Sequence, residues 1–262
     1  MRILAIGDIY SEVGCNFALK IIPNLKKEEG IDLCIANGEN SALQNGITPM
    51  SADMLFAAGV DVITGGNHSL RRKEAYEMLD NNPFVLRPDN MVCDFGTGYR
   101  LIDLGKYSVA VINLLGQAFI ERQETTNPFE AADRLIEKAK EDGAKYIVVD
   151  FHAEATGEKR ALGLYLDGRV SAFFGTHTHI PTADAKILPC GTGYITDLGF
   201  TGVENSVLGV KSSIIINRLK SGGQEKFEAA EGSCVLNGCI FEINEKGSCT
   251  KVKQIIVREE KL

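Results

Sequence analysis

The first residues of the chain carry no export or membrane signal. "MRILAIGDIYSEVG" has one basic residue and a short apolar run interrupted by Asp8, which suits neither a signal peptide nor a spanning helix. A cytoplasmic protein without membrane attachment is expected. Cysteine is present, but not in the spacing that zinc or redox motifs use. Cys15, Cys34, Cys93, Cys190, Cys234, Cys239 and Cys249 form an odd set with no C-x-x-C pair, so reduced and mostly buried thiols are expected. No Pro/Gly/Ser linker, low-complexity tract or fixed-period repeat divides the sequence, and a single domain over residues 1–262 with a substantial core is expected. Positive charge is in deficit: 28 Lys and Arg against 35 Asp and Glu leave a net charge of −7. That balance disfavours stable binding of polymeric nucleic acid or an anionic membrane. It leaves room for a small phosphorylated substrate neutralised locally by cations.

What the sequence does contain is an alternation of apolar strand-like runs with helix-period segments, the pattern of a layered α/β architecture. "RILAIGD", "DLCIANGE" and "VDVITGG" read as strands. Between them lie "NFALKIIPNLKKEEG", an amphipathic helix with an internal Pro, and "SADMLFAAG", a short helix capped at Ser51 and closed by Gly59. "RRKEAYEMLDN" reads as a polar-faced helix, and "YRLIDLG" with "YSVAVINLLG" as a hairpin across Gly105 and Lys106. "NPFEAADRLIEKAKEDG" has Asn127 as cap, Pro128 at the first helical position and Gly143 as terminator, and it leads into the strand "KYIVVDFHAEA". The later segments "KILP", "GYITDLG", "SSIIINRL", "CVLNGCIFEIN" and "KVKQIIV" are mostly strand-like with turns between them. A second half rich in antiparallel strands fits a two-sheet β-sandwich flanked by helices better than a doubly wound sheet.

The chain has only four histidines, and each follows an apolar run where a strand should give way to a loop. They are His68 in "ITGGNHS", His152 in "YIVVDFHAEAT", and His177 and His179 in "SAFFGTHTH". In an extended segment residues i and i+2 share a face, so the last two imidazoles are expected to reach one point beyond the strand end. Other strand ends add Asp8, Glu39, Asn40 and Asn67. Neighbouring strands would bring these groups together, because ligands of α/β sheets bind outside the carboxyl ends. Carboxylate, carboxamide and imidazole donors suit Mn, Fe, Zn or Co. They exceed what one tetrahedral zinc can use, whereas two ions bridged by a carboxylate would use them, a recurring device of phosphoester hydrolysis. Taken singly, Asp8 can equally cap a helix, and Asn40 and Asn67 can be ordinary loop residues. Glu39 between Gly38 and Asn40 has little structural use.

The series GD, GEN, GNH, FHAEAT and GTHTH, with "INLLGQAF", "DGRVSA" and "ILPCGTGYITDLGFTG", resembles the calcineurin-like metallophosphoesterase superfamily, and within it the YmdB-like branch, over residues 1 to about 210. The resemblance implies an αββα fold and two metal ions per chain; the oxygen-rich donors of the first site, where Tyr10 replaces an imidazole, point to iron or manganese, with zinc also admitted. It implies Asp8, Glu39 and His179 on one ion, with Asn40 beside it as ligand or anchor. Glu39, Asn67, His152 and His177 would hold the other, leaving Glu39 as the bridge. His68 would face the substrate as general acid while a metal-bound hydroxide attacks phosphorus. Small phosphodiesters, and 2′,3′-cyclic nucleotides first, are the implied substrates. The alternatives are a phosphomonoesterase on the same site and a non-catalytic, metal-dependent nucleotide-binding regulator. Homo-oligomers are implied too, with no interface pattern in the sequence.

Two departures stand out. "DIY" puts Tyr10 where many superfamily members have an imidazole, and Ser69 follows His68 where an acid often stands, so the group orienting His68 is open. Glu154 and Glu158 read as partners of the site or as solvated charges, and Arg122 and Arg160 as phosphate binders or plain surface. "CGTGYITDLGFTG" lacks the Lys of a phosphate-binding loop and reads as tight turns beside the pocket.

Overall fold

The computed structural model describes residues 1–43, 45–120 and 123–259. In chain order the first elements are β1 (Arg2–Ile6), β2 (Asp8–Ile9), α1 (Ser11–Glu29), β3 (Leu33–Asn37), α2 (Pro49–Ala57), β4 (Val62–Thr64), α3 (Glu74–Asn81), β5 (Tyr99–Asp103) and β6 (Ser108–Leu115). There follow α4 (Pro128–Glu141), β7 (Tyr146–His152), α5 (Thr156–Tyr165), β8 (Ala172–Thr176), β9 (Lys186–Ile187), β10 (Gly193–Ile195) and β11 (Phe200–Val203). The last elements are α6 (Ser212–Ser221), β12 (Cys234–Ile243) and β13 (Cys249–Arg258).

Two sheets form. The first runs β2-β11-β12-β1-β3-β4, with β13 on the far edge of β12. Here β1, β3 and β4 are parallel, and the pairs made by β12 are antiparallel. The second runs β5-β6-β7-β8-β10-β9, parallel from β6 to β10, with β5 joined as the expected hairpin.

Strand alternation explains the layers. Ile3, Ala5, Leu33, Ile35 and Val62 of the first sheet meet Val109, Val111, Val148, Ala172 and Phe174 of the second in one buried cluster. Their alternate neighbours Leu4, Ile6, Cys34 and Ala36 pack outward on α1 and α2. In the second sheet Ala110, Ile112, Ile147, Val149 and Phe173 share a cluster with Leu135 and Ile136 of α4 and Leu162 of α5. Each sheet is thus apolar on both faces, and the layers are helices, sheet, sheet, helices, as the sandwich reading expected.

Local chemistry sets some helix ends, with side-chain N-caps at α2 and α4. Asn127 caps α4 by accepting the Phe129 N–H at 2.8 Å. By contrast, α2 begins before the expected cap: Thr48 is the N-cap, Pro49 is the first helical residue, and Ser51 is the return partner of a capping box. The larger correction is "SSIIINRL", which is the helix α6 and not a strand. Its isoleucines favour β structure locally, but a strand would put Ile214 and Ile215 on opposite faces. Both rest on the cluster of Tyr10, Phe200 and Val210. A helix permits that, with Arg218 and Lys220 favourably placed in its last turn and Gly222 closing it at φ 70°. The "FTG" that ends "CGTGYITDLGFTG", read as tight turns, lies in strand β11.

All seven cysteines are free; five are buried, Cys93 is half-buried and Cys190 is exposed. No helix among the described residues is long and apolar enough to cross a membrane.

Candidate metal centre

The carboxyl ends of β1, β3 and β4 in one sheet and of β7 and β8 in the other open at a common rim. Near it the inner faces turn from apolar to polar. Asn37 follows Leu33 and Ile35 on one strand face, and Asp150 follows Tyr146 and Val148 on another; Thr64 and Thr176 end their own strands, Asn113 lies two residues before the end of β6, and all five are buried. Thr64 Oγ1 and Thr176 Oγ1 donate to the Asp150 carboxylate at 2.5 and 2.8 Å. Asn113 Oδ1 accepts the Gly65 N–H at 2.9 Å, and Asn37 Nδ2 donates to the Gly65 carbonyl at 3.0 Å. Burial raises Asp150 to about 6, although Thr64, His152 and Thr176 pull the other way.

His152 stands on this layer with Nδ1 2.9 Å from Thr176 Oγ1. That hydroxyl gives its proton to Asp150, so it accepts from Nδ1–H and leaves the Nε2 lone pair directed to the rim. Around Nε2 lie His177 Nδ1 at 3.0 Å, Asn67 Oδ1 at 3.1 Å and Glu39 Oε1 at 3.2 Å. The donor atoms of Glu39, His152 and His177 all fall within 4.8 Å of one another. Beside them Asp8 Oδ1 is 3.6 Å from His179 Nε2 and, though fully buried, accepts no hydrogen bond. Asn40 Nδ2 lies 3.3 Å from His179 Nε2 and 3.1 Å from Glu39 Oε1. Glu39 therefore touches both groups.

Such a collection of inward lone pairs suits cations. An orphaned buried carboxylate oxygen is costly unless a charge of opposite sign meets it. Asp8, Asn40, His179 and Glu39 could hold one ion, and Glu39, Asn67, His152 and His177 a second. The electrostatics agree. Burial opposes ionisation of Glu39, yet His152 and His68 hold its carboxyl well below the usual range. Burial likewise opposes an imidazolium at His152, but Glu39, Asp8 and Asp150 push it to about 9. Burial and the neighbouring His152 charge press His177 down to about 3. The cluster concentrates negative potential at one point, which a divalent cation meets better than a single proton.

The backbone departs from expectation at the paired histidines. His177 and His179 have φ of 103° and 63°, so the segment is not extended. The two imidazoles separate: His177 joins His152, and His179 joins Asp8. The loop is tied by the His177 N–H to Asp8 Oδ2 at 3.0 Å and the Thr178 N–H to Asp197 Oδ2 at 3.1 Å. Asp197 in turn pairs with Lys159, itself wholly buried, at 2.6 Å. Asp150, Lys159 and Asp197 escaped the sequence reading. Their signal was a charged residue inside an otherwise apolar run or helix face.

Backbone also comes close from the β4 side. A Cβ at Gly66 would lie 2.3 Å from His152 Nε2 and 2.4 Å from Glu39 Oε2, so only glycine fits.

His68 Nδ1 is 3.0 Å from Glu39 Oε1, and its backbone N–H donates to Oε2 at 2.7 Å. Glu39 is thus the group that orients it, while Ser69 Oγ accepts the Gly66 N–H instead. His68 lines a cavity of about 390 Å³ together with Tyr10, Asn40, Glu154, His177 and His179. Glu154 Oε2 is 3.1 Å from His177 Nε2, a carboxylate steadying an imidazole from behind. Glu158 serves a loop, accepting from the Gln117 and Ala118 N–H groups at 2.8 and 3.3 Å. Arg160 stacks on the Tyr194 ring, its guanidinium 5.0 Å from the centroid. Arg122 lies outside the described residues. Tyr10 meets His179 edge-on, with ring centroids 6.2 Å apart, and belongs to the apolar cluster under α6.

A family model described as YmdB-like protein matches residues 4–255. The 2′,3′-cyclic-nucleotide 2′-phosphodiesterase of Bacillus subtilis is 40% identical over 99% of this chain and 98% of its own length. Among solved structures, a novel phosphatase from Mycoplasma pneumoniae is similar at a TM-score of 0.93 and 34% identity, over 99% of this chain and 94% of that one. A hypothetical protein from Thermus thermophilus is similar at 0.91 and 38% identity, over 99% and 100%.

Proposed function

Because the chain belongs to the YmdB-like family, we propose that it is a two-metal phosphodiesterase that opens small cyclic phosphodiesters, 2′,3′-cyclic nucleotides first among them. The observation that carries the proposal is the position of Glu39. Its Oε1 is 3.2 Å from His152 Nε2 and 3.1 Å from Asn40 Nδ2, so one carboxylate serves both donor groups, as a bridging ligand must. Asp8, Asn40 and His179 complete one side, and Asn67, His152 and His177 the other. When bound, the ions supply Lewis-acid charge for the phosphoryl oxygens and an activated nucleophile.

The chain's own residues do the rest. Thr176 and Asp150 fix the tautomer of His152, and Glu154 steadies His177. Glu39 holds His68 through Nδ1, which leaves Nε2 for the cavity. From there His68 delivers a proton to the departing ribose 2′-oxygen, a basic leaving group that needs one. The acidic net charge suits small diesters over long polymers.

The test pairs metal content with two substrates. Purified protein should hold two transition ions per chain and lose turnover with chelator. His68→Ala should keep both ions and lose ~10²–10⁴-fold on a 2′,3′-cyclic nucleotide. It should lose far less on bis-nitrophenyl phosphate, whose leaving group needs little protonation. Full activity at one ion per chain would defeat the paired-metal reading. Equal losses on the two substrates would move His68 from proton donor to phosphate positioning.

A further inference from the structure

We propose that the segment joining β11 to β12 forms a nucleobase subsite for this centre, with Phe227 as its platform and Leu208 and Ile215 as its wall; this rests on the cyclic-nucleotide reading above. The cavity has two unlike halves. One carries the carboxylates, carboxamide and imidazoles of the candidate metal centre. The other is Tyr10, Val207, Leu208, Val210, Ile215 and Phe227, all apolar or aromatic. Phosphate is held by charge and hydrogen bonds and has no use for such a wall. A planar base with two apolar faces does. The volume of about 390 Å³ falls within the range of small-molecule sites, well beyond what a phosphate group fills.

The wall is anchored from beneath and open above. Tyr10 and Val210 are buried together with Phe200 and Val235, and Ile215 packs on that cluster. Gly209, at φ 91°, lies so close to Tyr10 that a Cβ would come within 2.3 Å of its ring, which pins the loop against the aromatic face. Next to it Leu208, at φ 54°, stays 41% exposed, and Phe227 stays 42% exposed. The Arg218 guanidinium sits 4.5 Å from the Phe227 centroid, backing one face of the ring and leaving the other for a base to stack on. The same segment contains α6, which buries none of its residues fully. Of its apolar residues, Ile215 lines the cavity.

The experiment compares wild type, Phe227→Ala and Leu208→Ala on adenosine 2′,3′-cyclic phosphate and on 1-O-methylribose 2,3-cyclic phosphate, which lacks the base. Stacking a base on an aromatic side chain contributes on the order of tenfold in affinity. The preference for the nucleotide, as a ratio of kcat/KM values, should fall about tenfold in Phe227→Ala, chiefly through KM, and several-fold in Leu208→Ala. Calorimetric titration with adenosine 3′-monophosphate and ribose 3-phosphate reads the same preference without turnover. Proportional losses on both diesters, or a preference untouched in both variants, would overturn the subsite and leave the phosphodiesterase reading intact. Wild-type protein that turns over neither diester, yet binds the nucleotide better than the sugar phosphate, would reject the phosphodiesterase reading and support the subsite. Wild-type protein with no preference for the base by either method would overturn the subsite.

Discussion

Gly66→Ala adds one methyl group behind the candidate metal centre, and the structure defines what that methyl meets. The Cβ would lie 2.3 Å from Nε2 and Cδ2 of His152 and 2.4 Å from Glu39 Oε2, where relaxed carbon contacts sit at ~3.5–4.0 Å. Neither neighbour can step aside. His152 is fully buried with Nδ1 on Thr176, and Glu39 is 1% exposed and takes the His68 backbone N–H. The imidazole, the carboxylate or the β4 loop must therefore move by roughly 1 Å, and a misplacement of that size costs on the order of 10²-fold in rate. The displaced atoms are those proposed to hold the second ion, whose affinity should fall ~10–100-fold, as when ligands lose their support. Stability should suffer less, by ~1–3 kcal/mol for one overpacked methyl. Metal content, thermal midpoint and kcat/KM are read from one preparation. The expected result is a folded protein with fewer than two ions and about a hundredth of wild-type turnover. Gly157→Ala in α5, where nothing lies within 4 Å of the new methyl, serves as the control and should leave metal content and kcat/KM unchanged, with any shift of the midpoint upward because alanine favours the helix. A Gly66→Ala variant that keeps two ions and wild-type turnover would refute the reasoning, because His152 and Glu39 would then be free to yield.

Thiol labelling tests the buried cysteines. Burial pushes the Cys15, Cys34 and Cys239 thiols up to about 12 and Cys249 to about 11, so they stay protonated as the pH rises through 8 and 9. Native protein at pH 8 should label at Cys190 and more slowly at Cys93, and at all seven only in denaturant; rapid labelling of more than two native thiols would contradict the packing. Lys159→Met leaves the Asp197 carboxylate buried without its cation, a loss of ~3–5 kcal/mol for a pair of this kind. The thermal midpoint should drop, and amide exchange should quicken at Thr178 and Gly199, whose N–H groups Asp197 accepts. Unchanged exchange at those two amides would separate the ion pair from the histidine loop.

The donors of the candidate centre were legible because each ends an apolar strand, and parallel neighbours bring such ends to one rim. Asp8, Glu39, Asn40, Asn67, His152, His177 and His179 all lie in the observed cluster. Which sheet supplies which donor was not legible. β3 and β7 are both apolar on both faces, so no local window tells that the carboxylates come from one sheet and three imidazoles from the other. Asp150 was hidden for a related reason. It sits inside "YIVVDFH", and only strict alternation from Tyr146 and Val148 places it on the inner face beneath His152. α6 was misread because its triple isoleucine carries a β preference that the packing of two adjacent side chains overrides.

The spacing of His177 and His179 pointed to two side chains that do lie at the rim, but through an extended geometry the backbone does not adopt, and the difference bears on how the loop is held. On β8, Thr176 faces inward to Asp150, while Gly175 faces Lys159 of α5, whose stem a Cβ there would meet at 2.9 Å. Strict alternation would turn His177 outward, towards α5 and away from His152. The positive φ at His177 reverses that turn and swings the imidazole back over the inner rim, and the second reversal at His179 sends its ring on to Asp8. Each such residue costs ~1–3 kcal/mol and persists only where its surroundings over-determine it. Asp8 accepts the N–H of His177, and Asp197 accepts those of Thr178 and Gly199 while held by Lys159, so both reversals are clamped by buried carboxylates. One of those clamps, Asp8, is also a proposed ligand. An ion held there would therefore tighten the same loop that carries His177 and His179, and would couple the two donor groups through the backbone as well as through Glu39.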